Sequence, residues 1–313
     1  MKPCTFILLT NPREIPFVKD TLPHLLKMCA CRFEEVLVVI DDVPRELVAN
    51  ANAELKETLS TWIRGLERSI SNVRIISLAA ASTSIPVHKY FQTRVPVSHD
   101  FRGVPMFGWI AGVEAATTDF VVHFDSDILL HQSKSYGWIS EGIALIEKDP
   151  LAMFVSPLPG PPDPREGFPG QRVPFTFDAC GNLLFKTTFS SRAFLMSKER
   201  FSKILPTPLI GLRPCSITAN RKAFLYPWEG CVQSALQDSK YYRVHLRSSQ
   251  AWFLHCIDRS SEWLSLLPQL IQSVEQGRYP VEQAGFYDLN LAAWQHSLVA
   301  PGERSSDALA VAV

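Results

Sequence analysis

The sequence predicts an α/β fold, with a mostly parallel sheet flanked by helices. Three observations lead to this prediction. The apolar runs "TFILLT", "EEVLVVI" and "DFVVHF" are typical of strands that are buried on both faces. Segments with apolar residues at helical spacing separate the runs. Strands that alternate with helices in this way pair in parallel through right-handed crossovers.

The elements can be assigned in chain order. The first strand, "TFILLT", precedes a helix in "NPREIPFVKDTLPHLLKM", where Pro23 is a place for a bend. The second strand, "EEVLVVIDD", precedes a helix marked by apolar residues from Leu55 to Leu66. A third strand, "NVRIISL", and a helix in "VPMFGWIAGVEAATT" lead into the segment "DFVVHFDSDILLHQ", which begins as a strand.

The chain is predicted to form one domain with two halves. Residues 1–155 are the α/β half, and residues 175–300 are the second half, with its last helices in "WLSLLPQLIQSVEQG" and "FYDLNLAAWQHSLV". Between them, residues 156–174 are dense in Pro and Gly and predict a loop, either a plain linker or a mobile cover over a site. Residues 301–313 predict a flexible tail.

Composition narrows the class of protein. The chain has 313 residues, of which 46% are hydrophobic and 20% charged, as in a soluble globular protein. Lys and Arg together number 31, as do Asp and Glu, so there is no basic excess of the kind that nucleic-acid binding requires. No apolar run is long enough for a membrane span. The 7 scattered cysteines predict reduced thiols and a cytoplasmic location.

Two of the predicted strands end in pairs of acids. Asp41 and Asp42 end the second strand, and Asp125 and Asp127 end the strand in "DFVVHFDSD". In open α/β sheets, ligands bind at the carboxyl ends of the strands. Two carboxylates in one small space repel each other unless a cation neutralises them, and Mg²⁺ and Mn²⁺ prefer such oxygen ligands. The pattern predicts a clamp for a metal and a diphosphate; the alternative is a turn or a helix cap.

The second acid pair and its surroundings resemble the nucleotide-sugar glycosyltransferases of the Rossmann-like GT-A fold, in particular family 2. "GVEAATTDFVVHFDSDILL" is similar to the family's glycine-containing helix, buried strand and Asp-x-Asp motif, in the same order and spacing. "TFILLTNPREIPFVKDTLPHLL" looks like its first strand and helix, and "EEVLVVIDDVP" like its second strand. The chain departs from the family where Trp109-Ile110-Ala111 stand in place of a basic Arg-Asn pair.

The resemblance implies a role for each strand-end residue. Thr10, Asn11 and Asp41 would line the pocket for the base or ribose of the donor nucleotide. Asp125 would face the ribose or the metal, and Asp127 would bind the metal at the donor diphosphate. The implied cofactor is Mn²⁺ or Mg²⁺, and the implied donor is a UDP- or GDP-sugar.

The second half of the chain corresponds to the acceptor lobe of these enzymes. "PWEGCVQSALQDSKYYRVHL" resembles the family's Glu-Asp helix start, with Glu229 as the base that transfer to a hydroxyl requires; the alternative is a glutamate that stabilises a helix N-terminus. His255 matches a late histidine that many of these enzymes use as a metal ligand, and otherwise belongs to the core. Arg192 would contact the acceptor or a phosphate. Trp228 would stack on a sugar or lie in the core.

The sequence therefore predicts a metal-dependent glycosyltransferase that moves a sugar to an acceptor hydroxyl with inversion. Retention is the alternative, because retaining GT-A enzymes also carry an acid pair and a late histidine. A nucleotidyltransferase is disfavoured because "LLTNPREIP" lacks a glycine-rich phosphate loop. An inactive protein that only binds a sugar nucleotide is a further alternative, since the Glu-Asp pair is reduced to one acid.

Overall fold

A computed structural model describes most of the chain. The described residues are 2–42, 49–66, 68, 70, 72–81, 85–92, 99–100, 106–163, 175–208, 212–214, 222–224, 227–299 and 304–305. The greater part of the predicted loop, residues 164–174, and most of the predicted tail lie outside these ranges.

Nine strands form the main sheet, which runs through the middle of the molecule. In chain order they are β1 (Cys4–Thr10), β2 (Glu35–Ile40), β3 (Val73–Ser77), β4 (Phe120–Asp125), β6 (Ala152–Ser156), β8 (Thr176–Phe177), β9 (Leu183–Phe185), β10 (Ala193–Ser197) and β13 (Tyr242–His245).

The main sheet is mixed but mostly parallel. Its strand order is β3-β2-β1-β4-β10-β6-β13-β9-β8. Strands β9 and β10 run against the other seven of the nine. The first four strands in this order are all parallel, as the alternation of strands and helices in the sequence predicts. The predicted fold class, a mostly parallel sheet flanked by helices, is confirmed.

Smaller sheets account for the remaining strands. The largest has the order β5-β14-β7, formed by β5 (Ile128–Gln132), β14 (Ala251–His255) and β7 (Leu158–Pro159). Strands β11 (Leu212–Pro214) and β12 (Lys222–Phe224) form one pair, and β15 (Arg278–Tyr279) and β16 (Arg304–Ser305) form another. The three-stranded sheet begins immediately after the second acid pair, so it continues the strand-end region of the main sheet.

Ten α-helices lie in the described ranges. They are α1 (Ile15–Cys29), α2 (Ala49–Leu66), α3 (Leu78–Ala81), α4 (Val87–Tyr90), α5 (Phe107–Ala115), α6 (Trp138–Lys148), α7 (Lys198–Phe201), α8 (Trp228–Gln237), α9 (Ser261–Glu275) and α10 (Leu291–Val299). Short 3₁₀ turns occupy Pro12–Glu14, Ser202–Ile204 and Val281–Gln283.

Helices cover both faces of the main sheet, which explains why its strands are continuous apolar runs. All seven residues of β1 are buried. Its Ile7 and Leu9 pack with α5 and α8, whereas Phe6 and Leu8 pack on the opposite side with α1, α2 and α6. A third apolar cluster joins the three-stranded sheet to α9 through Trp252 and similar residues. Pro23 lies inside α1, which continues through it as one helix.

Two segments differ from the sequence predictions. Residues 156–163, the start of the predicted loop, are almost entirely buried and include strand β7. Their apolar residues and prolines pair at the edge of a sheet, where a missing backbone donor is tolerated. Within the predicted tail, Arg304–Ser305 pairs with β15. No helix in the described part of the chain is both long enough and apolar enough to cross a bilayer. The described cysteines are free thiols.

Helix α5 approaches the sheet closely because it contains glycine at the contact. A Cβ atom on Gly112 would lie 2.7 Å from Ile7 Cγ2 and 3.3 Å from Val39 Cγ2. The first of these distances is shorter than carbon atoms tolerate, and Ile7 is held in the core. The small residue therefore sets the distance between α5 and the strands that carry the acids.

Gly112→Ala should destabilise the protein by about 1–3 kcal/mol, the usual cost of overpacking a core. Chemical denaturation measures this change. Gly65→Ala in α2 is the matched control, because its Cβ would meet nothing within 4 Å. There the gain in helix propensity should stabilise the protein by about 0.5–1 kcal/mol. Similar gains from both substitutions would contradict the close approach at Gly112.

Candidate functional site

The parallel strands bring their polar ends to one edge of the main sheet. In the register of β1, Thr10 lies beside Ile40 of β2, and Leu9 lies beside Asp125 of β4. Asp41, which directly follows β2, donates its backbone N–H to the carbonyl of Thr10 at 2.8 Å. The residues that the sequence predicts for nucleotide binding are therefore neighbours at the carboxyl ends of adjacent strands.

The three predicted nucleotide-binding residues at this edge have different surroundings. The hydroxyl of Thr10 donates to Glu14 at 3.0 Å, and the side chain of Asn11 accepts from the backbone of Arg13 as a helix cap. Both side chains thus support the local turn. The carboxylate of Asp41 lies 3.1 Å from His99 Nε2, and both residues are buried. Of these three residues, Asp41 is the one whose side chain contacts a distant segment of the chain, at His99.

Asp42, the other acid after β2, is held by hydrogen bonds and an ion pair from neighbouring elements. Its carboxylate accepts from Ser77 Oγ at 2.5 Å and from the backbone N–H of Ala79 at 2.8 Å. Lys56 of α2 forms an ion pair with it at 2.5 Å. Burial alone would raise the pKa of Asp42. These contacts outweigh that effect, and the pKa lies below its usual value. Asp42 thus connects β2, β3 and α2.

The carboxylate of Asp127 is held by an arginine from the far end of the chain. Arg259, in the segment after β14, donates from Nε and Nη2 to Asp127 Oδ2, at 3.1 and 2.5 Å. Its Nη1 donates to Glu14 Oε1 at 2.7 Å. Asp127 and Glu14 are both buried, and removing the counter-charge from buried carboxylates is costly. The guanidinium therefore stabilises two acids at once.

Glu14 extends this network to the first strand and to the acid motif itself. Its Oε2 accepts from Ser126 Oγ at 2.5 Å and from Thr10 Oγ1 at 3.0 Å. Burial raises the pKa of Glu14, and the charge of Arg259 and the hydrogen bond from Ser126 oppose this rise. Glu14 thus fixes the turn between Asp125 and Asp127.

His255 meets Asp127 because of the register of the three-stranded sheet. His255, the last residue of β14, pairs with Ile128, the first residue of β5. Its Nδ1 lies 2.9 Å from Asp288 Oδ1, and its Nε2 lies 3.6 Å from Asp127 Oδ2. A histidine with one nitrogen held by a carboxylate presents the other nitrogen as a ligand, an arrangement common at metal centres.

The chemistry of this donor set fits a divalent cation held by two protein ligands. Asp127 Oδ1 is buried, and no described residue forms a hydrogen bond with it. His255 Nε2 lies close to the same carboxylate. Magnesium-type sites often use one or two carboxylates and complete their shell with water and substrate phosphates. The described ranges contain no group of three or more His, Cys, Asp and Glu side chains placed to hold an ion. Asp125 as a third ligand therefore stays a prediction.

Asp125 lies beside the proposed ligands in a buried setting. Its Oδ1 is 3.1 Å from His123 Nε2, the nitrogen that accepts the indole N–H of Trp109 at 2.9 Å. Burial lowers the pKa of His123 to about 3, so the ring is neutral. Burial also raises the pKa of Asp125 well above its usual value; Asp127 and Glu229 raise it further, and His255 opposes them. Asp125 therefore interacts electrostatically with Asp127 and His255, the predicted metal ligands, and with Glu229, the predicted base.

Glu229 lies in the first turn of α8 and faces the same edge. Its Oε1 accepts from the backbone N–H of Ser191 at 2.9 Å and from its hydroxyl at 3.2 Å. Arg192 follows Ser191, and its Nη1 donates to the hydroxyl of Tyr287 at 2.7 Å. Its backbone carbonyl accepts a hydrogen bond from the backbone N–H of Asp125. The structure therefore brings Glu229, Arg192 and the acid pair together, whereas their roles stay predictions.

Trp228, the residue before Glu229, belongs to the core. It is 2% exposed. Its ring packs against those of Phe91 and Phe201, and it lies nearly parallel to that of Trp109, with 6.4 Å between the centroids. Of the two interpretations of this residue, the structure therefore supports the buried core tryptophan.

Sequence reasoning missed Glu14, Arg259, Asp288 and Tyr287. Glu14 stands in a turn after β1 and Arg259 four residues after His255, and neither carries a recognised motif. The signal that could have found Arg259 is the need of the buried acid motif for a counter-charge.

Comparison with known proteins adds a likeness of fold only. No family model and no curated protein matches the chain. The mannosyltransferase PcManGT from Pyrobaculum calidifontis, solved with GDP-Man and Mn²⁺, is 12% identical, with a TM-score of 0.39 over 66% of this chain and 48% of that one. The glycosyltransferase GlyE from Streptococcus pneumoniae is 10% identical, with a TM-score of 0.34 over 66% and 37%. The galactosyltransferase LgtC, solved with donor and acceptor sugar analogues, is 11% identical, with a TM-score of 0.34 over 64% and 59%.

This chain thus spans less than two thirds of the length of each of these structures. At such TM-scores the likeness carries no argument.

Arg259→Met should lower the free energy of unfolding by about 1–3 kcal/mol. This is less than the loss of a fully buried ion-pair partner because the Arg259 side chain is 44% exposed. Thermal unfolding with and without MnCl₂ measures the change, and Mn²⁺ should restore part of the loss by supplying charge at Asp127. Arg64→Met, which removes an exposed pair with Glu57, is the control and should change stability by less than about 0.5 kcal/mol. Equal effects of the two variants would contradict the role given to Arg259.

Proposed function

We propose that this chain is a GT-A type glycosyltransferase that moves a sugar from a nucleoside-diphosphate sugar to an acceptor hydroxyl. One observation carries the proposal: groups from distant parts of the chain converge at the carboxyl edge of the sheet. Asp41 follows β2, Asp127 follows β4, His255 comes from β14, and Glu229 comes from α8. Such an edge is where an α/β sheet binds its ligand.

The donor nucleotide would lie over the ends of β1 and β2. Asp41 is the group suited to accept a hydrogen bond from the base or the ribose, and its contact with His99 fixes its orientation. The uracil of a UDP-sugar and the guanine of a GDP-sugar both offer N–H donors to such a carboxylate. The donor is therefore proposed as one of these two classes.

The donor diphosphate would lie over the acid motif. When bound, Mn²⁺ or Mg²⁺ would be held by Asp127 and His255, with Asp125 beside it, and would neutralise the charge that develops on the leaving diphosphate. Arg259 already binds Asp127 Oδ2, and Oδ1 receives no hydrogen bond from the described part of the chain. The arginine therefore orients the carboxylate and keeps one oxygen for the ligand.

Glu229 is proposed as the base. One of its oxygens is held by Ser191, and no hydrogen bond or ion pair to Oε2 is found within the described part of the chain. A carboxylate fixed through one oxygen and open at the other is suited to take the proton of the acceptor hydroxyl. The freed oxygen then attacks the anomeric carbon from the side opposite the diphosphate, and the configuration inverts.

A retaining transfer is the second candidate, and one observation favours it. The residue in the place of the first acid of the family's Glu-Asp pair is Trp228, which is buried in the core. Glu229 is then the only acid at the start of α8. In a retaining route the leaving diphosphate itself can take the proton, and Glu229 would serve to hold Ser191.

Asp127→Asn should remove the Mn²⁺ dependence of nucleotide binding, because the amide carries no charge for the cation. Calorimetric titration of UDP and of GDP, each with and without MnCl₂, measures this. The variant should fold, since Arg259 still pairs with Glu14. Asp149→Asn, before β6 at the opposite edge of the sheet, is the matched control and should bind as the wild type does. An unchanged response to Mn²⁺ in Asp127→Asn would show that the cation is held elsewhere.

Glu229→Gln should lower the turnover number by about 10²–10⁴-fold, the usual contribution of general base catalysis. Affinity for the nucleotide and for Mn²⁺ should not change, because a base acts in the transition state. Single-turnover transfer from UDP- and GDP-sugars measures the rate, and the anomeric configuration of the product is read by NMR. Near-normal turnover together with a retained configuration would replace the inverting route by the retaining one.

A further inference from the structure

A buried arginine lies near Glu229, on a strand away from the acid motif. Arg243 is the second residue of β13 and is 4% exposed. Its Nη2 donates to Thr188 Oγ1 at 3.3 Å, and its guanidinium lies 4.9 Å from the ring centroid of Phe185. Its Nε is buried and has no hydrogen-bond partner among the residues that the structure describes. Within the described ranges no carboxylate lies within ion-pair distance of this cation.

The neighbouring side chain does not neutralise Arg243 either. His245, two residues along β13 and on the same face of the sheet, lies 2.9 Å from the carbonyl of Pro157 through Nδ1. Burial and the charge of Arg243 lower the pKa of His245 well below its usual value, so the ring is neutral. Burial lowers the pKa of Arg243 to about 10, which still leaves the guanidinium charged at neutral pH.

A charged, buried guanidinium without a counter-ion is costly unless a ligand supplies one. Such a group is therefore expected where an anion binds. The position of Arg243 says which anion. In the main sheet β10 and β6 lie between β4 and β13, so about 14 Å of sheet separates Arg243 from the acid motif at about 4.8 Å per strand. The donor diphosphate, held at Asp127, does not reach that far.

A second arginine connects this position to the proposed base. Arg192 binds the hydroxyl of Tyr287, and no carboxylate within the described ranges pairs with it. Arg192 and Arg243 are both within electrostatic range of Glu229. Two guanidinium groups, neither within ion-pair distance of a carboxylate in the described ranges, therefore lie near Glu229, which is proposed to face the acceptor hydroxyl.

We propose, resting on the glycosyltransferase function above, that the acceptor carries an anionic group, a carboxylate or a phosphate ester, which Arg243 binds with the help of Arg192. The guanidinium of Arg243 can donate from Nε and a terminal nitrogen to two oxygens of such a group. The anion then orients the acceptor so that its hydroxyl faces Glu229 Oε2. The acceptor class is thus an acidic sugar or a phosphorylated polyol, not a neutral sugar.

The test compares acceptors that differ only in the anion. Glucuronic acid is paired with glucose, and glycerol 3-phosphate with glycerol. Binding of each compound to the whole protein is measured by saturation-transfer NMR titration, with and without MnCl₂ plus UDP or GDP. At least one anionic member should bind at least tenfold more tightly than its neutral partner. The pair that shows the preference distinguishes the carboxylate from the phosphate ester.

The variants assign the preference to the arginine. Arg243→Met fills the same buried space and should reduce the preference to within about twofold, since replacement of a buried charge by an apolar side chain of similar volume is usually tolerated. Arg192→Met, at a half-buried position, should weaken anion binding at least threefold and guards against a folding defect in the first variant. Arg64→Met, on the exposed face of α2, controls for the loss of a positive charge and should keep the full preference.

The failures of the two proposals are distinguishable. Equal or absent binding of the anionic and neutral compounds, or a preference that survives both Arg243→Met and Arg192→Met, would overturn the anionic acceptor. Neither outcome would contradict the proposed donor site, provided that UDP or GDP still binds with Mn²⁺. Failure of the wild-type protein to bind either nucleotide would instead overturn the glycosyltransferase proposal, and the comparison without nucleotide would still test the anion site.

Discussion

One guanidinium holds the strand-end region together. Arg259 pairs with Glu14 and with Asp127, which are 113 residues apart in the chain and are both buried. Without it, two neighbouring carboxylates would stand unpaired in an apolar interior, which proteins avoid. Because Glu14 also receives the hydroxyls of Thr10 and Ser126, the ion pair fixes the end of β1 and the turn after β4 in one arrangement.

Much of the main sheet could be predicted from the sequence because its strands are buried on both faces. Such strands read as unbroken apolar runs, and the helices between them show their own period. The placement of Asp41 and Asp125 at the same edge, on either side of β1, followed directly, since parallel strands end at one edge. The three-stranded sheet could not be predicted in this way. Strands β5 and β14 lie more than a hundred residues apart, and nothing periodic in either one names its partner.

The same limit explains which site residues could be found. Asp127 and Glu229 stand in local patterns, an acid motif after a strand and an acid at a helix start. Arg259 and Asp288 act through partners that are distant in sequence, so only the folded chain identifies them. Trp228 is the opposite case. Its place beside Glu229 suggested a sugar contact, but its ring packs against aromatic neighbours in the core. The sequence shows that Trp228 stands next to Glu229, but it does not show in which direction the tryptophan side chain points.

The pairing of β5 with β14 has a consequence for how the protein matures. His255 reaches Asp127 through backbone register, since His255 pairs with Ile128 in that sheet. Successive side chains of a strand point to opposite faces, so a slip by one residue would turn the imidazole away from the carboxylate. During synthesis the acid motif emerges more than a hundred residues before its histidine and its arginine. The pair proposed to bind the cation is therefore completed only when β14 pairs with β5.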